Sequence, residues 1–282
     1  MINQDYLKDL IAKAYYEDVG SGDYTSLACI PENVRGDAFL LVKEPGILAG
    51  VEVAERVLLF YDDTAKINIT IKDGETVNSG DIAFYVNAKK QKLLQAERTL
   101  LNFMQRMSGI ATVTKQYTEA IKNYKAKVLD TRKTTPCLRL IEKEAVRIGG
   151  GVNHRIGLYD MIMIKDNHID FAGGIENAIK KVIDYNKQHN LNLRIEIEVR
   201  DMDELEQVLI FGGINRIMLD NFTIEDTIKA VSMISGKYET ESSGGITLSN
   251  IRDYAACNVD YISVGALTHN IKSLDLSLKA SE

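Results

Sequence analysis

Between positions 130 and 168 the chain gathers the side chains best able to do chemistry. They come as Asp130-Thr131-Arg132-Lys133-Thr134-Thr135-Pro136, then Asn153-His154-Arg155, then Lys165-Asp166-Asn167-His168. Val128-Leu129 and Met161-Ile162-Met163-Ile164 lead straight into these charges as buried strands would, which puts the cations in loops at strand ends. A solvated basic surface along one helix face would not show that placement. A pocket for an anion would.

Further along, Arg194-Ile195-Glu196-Ile197-Glu198-Val199 alternates charge with aliphatic side chains, so its charged groups share one face of a strand and its aliphatic groups the other. If that face lines a barrel, burial of the charges is costly unless they pair or hold ligand. An internal ion pair of Arg194 with Glu196 is the expectation, with Glu198 left near the strand end for a ligand. Asp220 ends the next strand and is placed to join Glu198. Two carboxylates there suit ribose hydroxyls and Mg²⁺, a hard ion that takes few protein oxygens along with substrate phosphates. Ser242-Ser243-Gly244-Gly245 and Ser263-Val264-Gly265-Ala266 follow the last two strands, where glycines let backbone N–H groups approach a phosphate. A helix expected from Leu248 would add its positive end. His154 and Arg155, after Gly149-Gly150-Gly151, could grip a dicarboxylate together with Arg132, because guanidinium forks match carboxylates. Lys165 at a strand end also allows a Schiff base. His168 reads as structural, and His189 and His269 show no evident role.

Composition narrows the partners. The 282 residues are 45% hydrophobic and 26% charged, enough for one large or two ordinary domains with real cores. A net charge of -6 argues against a nucleic-acid partner and makes a focused basic cluster stand out as a site for a small anion. No run approaches the ~20 apolar residues of a membrane span, and Met1-Ile2-Asn3-Gln4-Asp5 lacks the regions of a signal peptide, so a cytoplasmic location is expected. Cys29, Cys137 and Cys257 are far apart, with no CxxC pair, and indicate neither a disulfide framework nor structural zinc.

The elements that must hold these residues fall into two parts. Residues 6–16 and 53–61 have helical spacing, 38–42 and 66–71 read as strands, Asp73-Gly74 turns the chain and 81–86 returns as another strand. Residues 92–107 form a long amphipathic helix expected to end before Gly109. This predicts an α/β sandwich-like domain over 1–108. Beyond it, short apolar runs ending in polar residues recur at 128–130, 162–165, 195–198, 217–220, 238–243 and 261–263. Helical segments at 138–148, 174–186 and 203–211 lie between them. Such βα repeats make a parallel sheet with its ligand at the carboxyl ends of the strands. Six strands fall short of eight, which favours an incomplete (β/α) barrel over 109–266, with an open doubly wound sheet as the alternative.

The motifs also resemble one family. Glu17-Asp18-Val19-Gly20-Ser21-Gly22-Asp23-Tyr24-Thr25, Ala96-Glu97-Arg98-Thr99-Leu100-Leu101-Asn102, 130–136, 150–158, 164–168, Leu219-Asp220-Asn221-Phe222, 241–246 and 263–269 together are similar to quinolinate phosphoribosyltransferase, in the family's order along nearly the whole chain. The resemblance implies transfer of phosphoribosyl from phosphoribosyl pyrophosphate to quinolinate with decarboxylation, giving nicotinate mononucleotide, pyrophosphate and CO₂ for NAD biosynthesis. It implies a homodimer or hexamer, with the tail, 267–282, packing on the first domain. Carried over residue by residue, quinolinate would meet Thr131, Arg132, Lys133, His154, Arg155 and Lys165, with Arg98 supplied across the subunit interface. Glu198 and Asp220 would face ribose and Mg²⁺, and Ser243, Gly244, Gly245, Val264, Gly265 and Ala266 the 5-phosphate. Cys137 departs from the pattern, since the family more often has glycine after the proline. The rivals are a relative acting on another base, such as the molybdenum-associated homologues of the family, a Schiff-base lyase at Lys165, and a non-catalytic sensor.

Overall fold

The structure, a computed structural model, describes residues 3–281. Two compact units divide it: Met1–Lys115 with Leu140–Gly150 and Asn270–Glu282, and Gln116–Arg139 with Gly151–His269.

The first unit opens with α1 (Gln4–Asp18), whose start is capped by the Asn3 side chain accepting from Asp5 and Tyr6 N–H, and α2 (Tyr24–Cys29). Strands β1 (Arg35–Val42) and β2 (Gly46–Ile47), helix α3 (Val51–Tyr61), and strands β3 (Lys66–Ile69), β4 (Thr76–Val77) and β5 (Ile82–Lys89) follow. β5 lies between β1 and β3, antiparallel to both, and β2 pairs with β4. The long helix α4 (Lys90–Ala120) then leads from the first unit into the second. It runs through Gly109 rather than ending before it. A Cβ at Gly109 would collide with the carbonyl oxygen of Lys272, so this glycine permits a close backbone approach and caps nothing.

In the second unit β6 (Lys127–Leu129) comes first. After α5 (Arg139–Ile148), which falls almost wholly in the first unit, come β7 (Ile162–Ile164), α6 (Asp166–Ala172), α7 (Ile175–Gln188), β8 (Ile195–Val199), α8 (Met202–Phe211), β9 (Arg216–Asp220), α9 (Ile224–Ile234), β10 (Glu239–Ser243), α10 (Ile251–Ala256), β11 (Tyr261–Ser263) and α11 (Ala266–His269). The strands make one parallel sheet in the order β6-β11-β10-β9-β8-β7, the incomplete barrel expected from the six apolar runs. Each polar strand end predicted from sequence lies within one residue of the end of an observed strand. Alternation in β8 works as expected: Ile195, Ile197 and Val199 join a core with Ala178, Ile179, Leu205, Val208, Ala230 and Ile234 from α7, α8 and α9. Fully burying each of the larger aliphatics is worth about 1.5–3 kcal/mol, which fixes the strand's register and turns Glu196 and Glu198 to the other face.

The last strand, β12 (Leu276–Ala280), belongs to the first unit and lies antiparallel to β1 at the edge of its four-stranded sheet. Sequence periodicity had not marked it as a strand.

Candidate active site

The carboxyl ends of the second unit's strands surround two cavities, of about 240 Å³ and about 440 Å³. Thr131, Lys133, Asp220, Ser243 and Ser263 line both, so the two are continuous. A parallel sheet with short connections brings these residues together because every strand delivers its last residue to the same rim.

Arg132, Lys133, His154, Arg155 and Lys165 all line the smaller cavity. The loop carrying Arg132 and Lys133 is held from several sides. Thr268 Oγ1 donates to the Lys133 carbonyl at 2.8 Å, and Arg139 donates to Thr134 Oγ1 at 3.0 Å and to the Ile156 carbonyl at 3.1 Å. Arg132 Nε is buried without a hydrogen-bond partner. Arg155 is 9% exposed, and its guanidinium reaches only the Met161 carbonyl and the Met163 sulfur, each at 3.4 Å. Burial, with the nearby Arg132 charge, pulls its pKa down. Two crowded guanidiniums with no ion pair among the described residues make one side of the cavity receptive to an anion, while Glu198, Asp220 and Glu241 line it elsewhere. Met163 and Met218 add polarisable apolar wall between these charges.

Opposite the arginines, Lys165 Nζ lies 2.6 Å from Glu198 Oε2. The Lys165 backbone N–H donates to His168 Nδ1 at 2.9 Å, which gives His168 the structural part expected of it. Asp220, ending β9, accepts from the Asn221 side chain at 2.8 Å. Glu198 and Asp220 thus offer hard oxygens at the rim of the cavity, and no third metal-binding group stands with them. Among the described residues the one cluster of three such groups is His154, Glu196 and Glu241. A pair of carboxylates fits Mg²⁺, which keeps water and substrate oxygens as most of its ligands.

Below the cavity the charges pair differently from expectation. Arg194 lies just before β8 and donates to Glu239 at 2.5 Å, with its side chain half exposed, so it forms no pair with Glu196. The partners of Glu196 are His154, with Nε2 3.0 Å from Oε2, and Arg216, with Nη1 at 3.9 Å. Arg216 Nη1 donates to Glu241 at 2.9 Å and its guanidinium lies 4.1 Å over the Tyr261 ring. His154 Nε2 is also 3.5 Å from Glu241, and its Nδ1 accepts the Arg155 backbone N–H at 2.7 Å.

The two ring nitrogens pull in opposite directions. Burial opposes charging the ring, but Glu196 and Glu241 outweigh it and push His154 up to about 9. An amide N–H pointing at Nδ1, by contrast, requires that nitrogen's lone pair. The backbone contact keeps the ring's own proton on Nε2, and the extra proton that the carboxylates draw in is shared with Glu196, whose carboxyl burial and Glu241 push up to about 7. His154 and Glu196 therefore retain that extra proton between them over the neutral range. Arg216 and Glu241 were not singled out from sequence. Their signal was the same alternation as in β8, since Arg216 and Glu239 sit opposite each other in the ladder and Glu241 follows on the same face.

The larger cavity takes in Ser243, Gly244, Gly245, Gly265 and Ala266, together with His269, for which sequence gave no role. Gly244 has φ +93, and a Cβ there would run into the Asn221 side chain, so only glycine lets this loop close on β9. Val264 is 1% exposed and its N–H goes to the Leu129 carbonyl, which makes it a support of the loop rather than part of the cavity wall. The helix expected from Leu248 begins only at Ile251 and has six residues, so its dipole contributes little. Arg98 lies in the first unit, exposed on α4.

Comparison with known proteins finds one family along nearly the whole chain. The N-terminal domain of quinolinate phosphoribosyl transferase matches residues 23–108, and its C-terminal domain matches residues 110–279. A chloroplastic nicotinate-nucleotide pyrophosphorylase [carboxylating] of Arabidopsis thaliana is 46% identical over 97% of this chain and 82% of its own length. The protein so named in Mycobacterium leprae is 41% identical over 97% of both. The solved nicotinate-nucleotide pyrophosphorylase of Francisella tularensis superposes with a TM-score of 0.92 at 41% identity, covering 100% of this chain and 98% of that one.

Proposed function

The chain belongs to the quinolinate phosphoribosyltransferase family, and on that premise we propose that the smaller cavity holds quinolinate and the larger one the phosphoribosyl group. The enzyme transfers phosphoribosyl from phosphoribosyl pyrophosphate to quinolinate, releasing pyrophosphate and CO₂ and forming nicotinate mononucleotide. The pairing of Arg132 with Arg155, both without a carboxylate partner, carries the placement of quinolinate. A dianion supplies the charge that these two lack, and bidentate contacts orient it. Thr131, Lys133 and Lys165 complete the grip, with His154 forming the floor.

The pyridine nitrogen is itself the nucleophile, so no side chain need remove a proton to start the reaction. As pyrophosphate departs, positive charge grows at the anomeric carbon, and Glu198 and Asp220 are placed to stabilise it while meeting the ribose hydroxyls. When bound beside these carboxylates, Mg²⁺ neutralises the leaving pyrophosphate. Ser243, Gly244, Gly245, Gly265 and Ala266 cradle the 5-phosphate, with Val264 behind them. Once alkylated, the ring nitrogen is cationic and takes up the electrons freed when the adjacent carboxylate leaves as CO₂. That ring carbon then takes a proton. The pocket must hold one carboxylate and release the other, which a set of separate cations allows.

Arg98 is proposed to complete this grip from a second copy of the chain, in a homodimer or a larger assembly. Its exposure on α4 supports that role. The three cysteines, none of them in a disulfide, suit a reducing compartment, here the cytoplasm, although plant relatives carry chloroplast or mitochondrial names. The test is product formation from quinolinate, phosphoribosyl pyrophosphate and Mg²⁺, with nicotinate in parallel. Equal yields of CO₂ and mononucleotide from quinolinate are expected. Turnover of nicotinate alone would move the pocket to a monocarboxylate.

A further inference from the structure

Beneath the quinolinate pocket, three neighbouring strands each supply one charge to a buried chain. Glu196 comes from β8, Arg216 from β9 and Glu241 from β10, and all three are at most 7% exposed. None of them carries the anion-binding charge. Arg216 holds Glu241 at 2.9 Å, and Glu196 and Glu241 both face His154 Nε2, at 3.0 and 3.5 Å. The next link runs upward, from His154 Nδ1 to the Arg155 backbone N–H at 2.7 Å. The His154 backbone N–H is fixed separately, by Asp130 Oδ1 at 2.8 Å. Nδ1 of His154 thus accepts from the Arg155 amide while Nε2 is directed at the two carboxylates.

We propose that Glu196, Glu241 and Arg216 are positioning residues for the reaction: they lock the His154 ring, and through it the Arg155 backbone, so that the Arg155 guanidinium meets the substrate carboxylates at a fixed height. His154 then acts through Arg155 and is itself a positioning residue. The inference rests on the assignment of the smaller cavity to quinolinate. Its physical basis is that an unpartnered guanidinium repelled by a neighbour holds its place only if its backbone is held. The Arg155 guanidinium makes just two hydrogen bonds, both long at 3.4 Å, which hold its direction weakly.

The experiment compares Glu196→Gln and Glu241→Gln, each alone and combined with Arg155→Lys, by steady-state kinetics and thermal melting. Each single change is expected to raise KM for quinolinate roughly tenfold while KM for phosphoribosyl pyrophosphate stays within about twofold. Added to Arg155→Lys, neither should raise it much further, because the effect passes through Arg155. Multiplying effects in the double variants, or a parallel rise of both KM values, would overturn the proposal. So would quinolinate kinetics unchanged in folded single variants. If Glu196→Gln fails to fold, Glu241→Gln decides alone. Failure of the underlying assignment has a different signature, namely Arg132→Ala leaving quinolinate binding intact, and the proposal would fall with it.

Discussion

The Lys165 ammonium lies 2.6 Å from Glu198 Oε2 and so ties together the ends of the adjacent strands β7 and β8 at the mouth of the pocket. The lysine side chain is 43% exposed, and a pair that open to solvent contributes only about 0–1 kcal/mol to stability. Glu198→Gln is therefore expected to leave the melting temperature nearly unchanged while lowering kcat about 100-fold or more, because the carboxylate serves the developing cation. Lys165 engaged in this pair is not a Schiff-base nucleophile. Borohydride added with ribose 5-phosphate, which offers the aldehyde that quinolinate lacks, should leave the mass of the protein unchanged, and a stable adduct on Lys165 would restore the lyase reading.

Arg132→Ala is expected to raise KM for quinolinate about 100-fold or more, the loss typical of an unshared partner in a buried charge contact. The fold should survive. Removing the Arg132 charge also relieves Arg155, whose pKa it helps to depress, so the melting temperature should hold or rise. An unchanged KM would remove Arg132 from the site.

Stability should depend on pH through the His154 cluster. The imidazole of an unfolded chain loses its proton near the ordinary value of 6.5, whereas the folded cluster, with His154 pushed up to about 9 and Glu196 to about 7, keeps one proton longer. Between about pH 4.5, where the carboxyl of an unfolded glutamate loses its proton, and pH 9 the native state binds more protons than the unfolded state. Its stability contribution is complete below that window and disappears as pH rises through it, with a slope of at most about 1.4 kcal/mol per pH unit. Denaturant titrations at pH 6.5 and 9 should show the fall in the natural chain and a smaller one in His154→Gln. Equal slopes in both would place the proton elsewhere.

Cys137 has φ +65, a left-handed conformation that costs a side-chain-bearing residue about 1 kcal/mol relative to glycine. The odd residue noted after Pro136 therefore keeps the backbone shape that a glycine would adopt there. Cys137→Gly should raise the melting temperature by about 2–4 °C for a chain of this size, whereas Cys137→Ala should not. Thermal melts of the two variants side by side separate loop strain from loss of the thiol.

The barrel was legible because its strands are buried in a parallel sheet. Aliphatic runs such as Ile217-Met218-Leu219 admit few other readings, and each ends on the polar residue that the site uses. The rest depended on contacts distant in sequence. Gly109 looked like a helix stop, and only the passage of Lys272 against it shows why a glycine stands in the middle of α4. Strands β2 and β4 have two residues each, too short for any period to register. Glu196 was expected beside Arg194, two positions away, but a strand's neighbours across the ladder are as near as those along it, and Arg216 lies directly opposite. His154 lines the cavity, while the direction of its nitrogens follows from Glu241 and the Arg155 amide, which no spacing rule connects.

The pairing of β12 with β1 has a consequence for synthesis on the ribosome. β1 is made well before β12, so one of its two hydrogen-bonded neighbours emerges much later than the strand itself. Through most of translation this strand carries an open edge, the kind of surface on which nascent chains stick to each other. The stretch that β12 covers, Ala38 to Val42, is apolar throughout, and Arg35 and Asp37 stand only beside it, so this edge is guarded from one end until its late partner arrives.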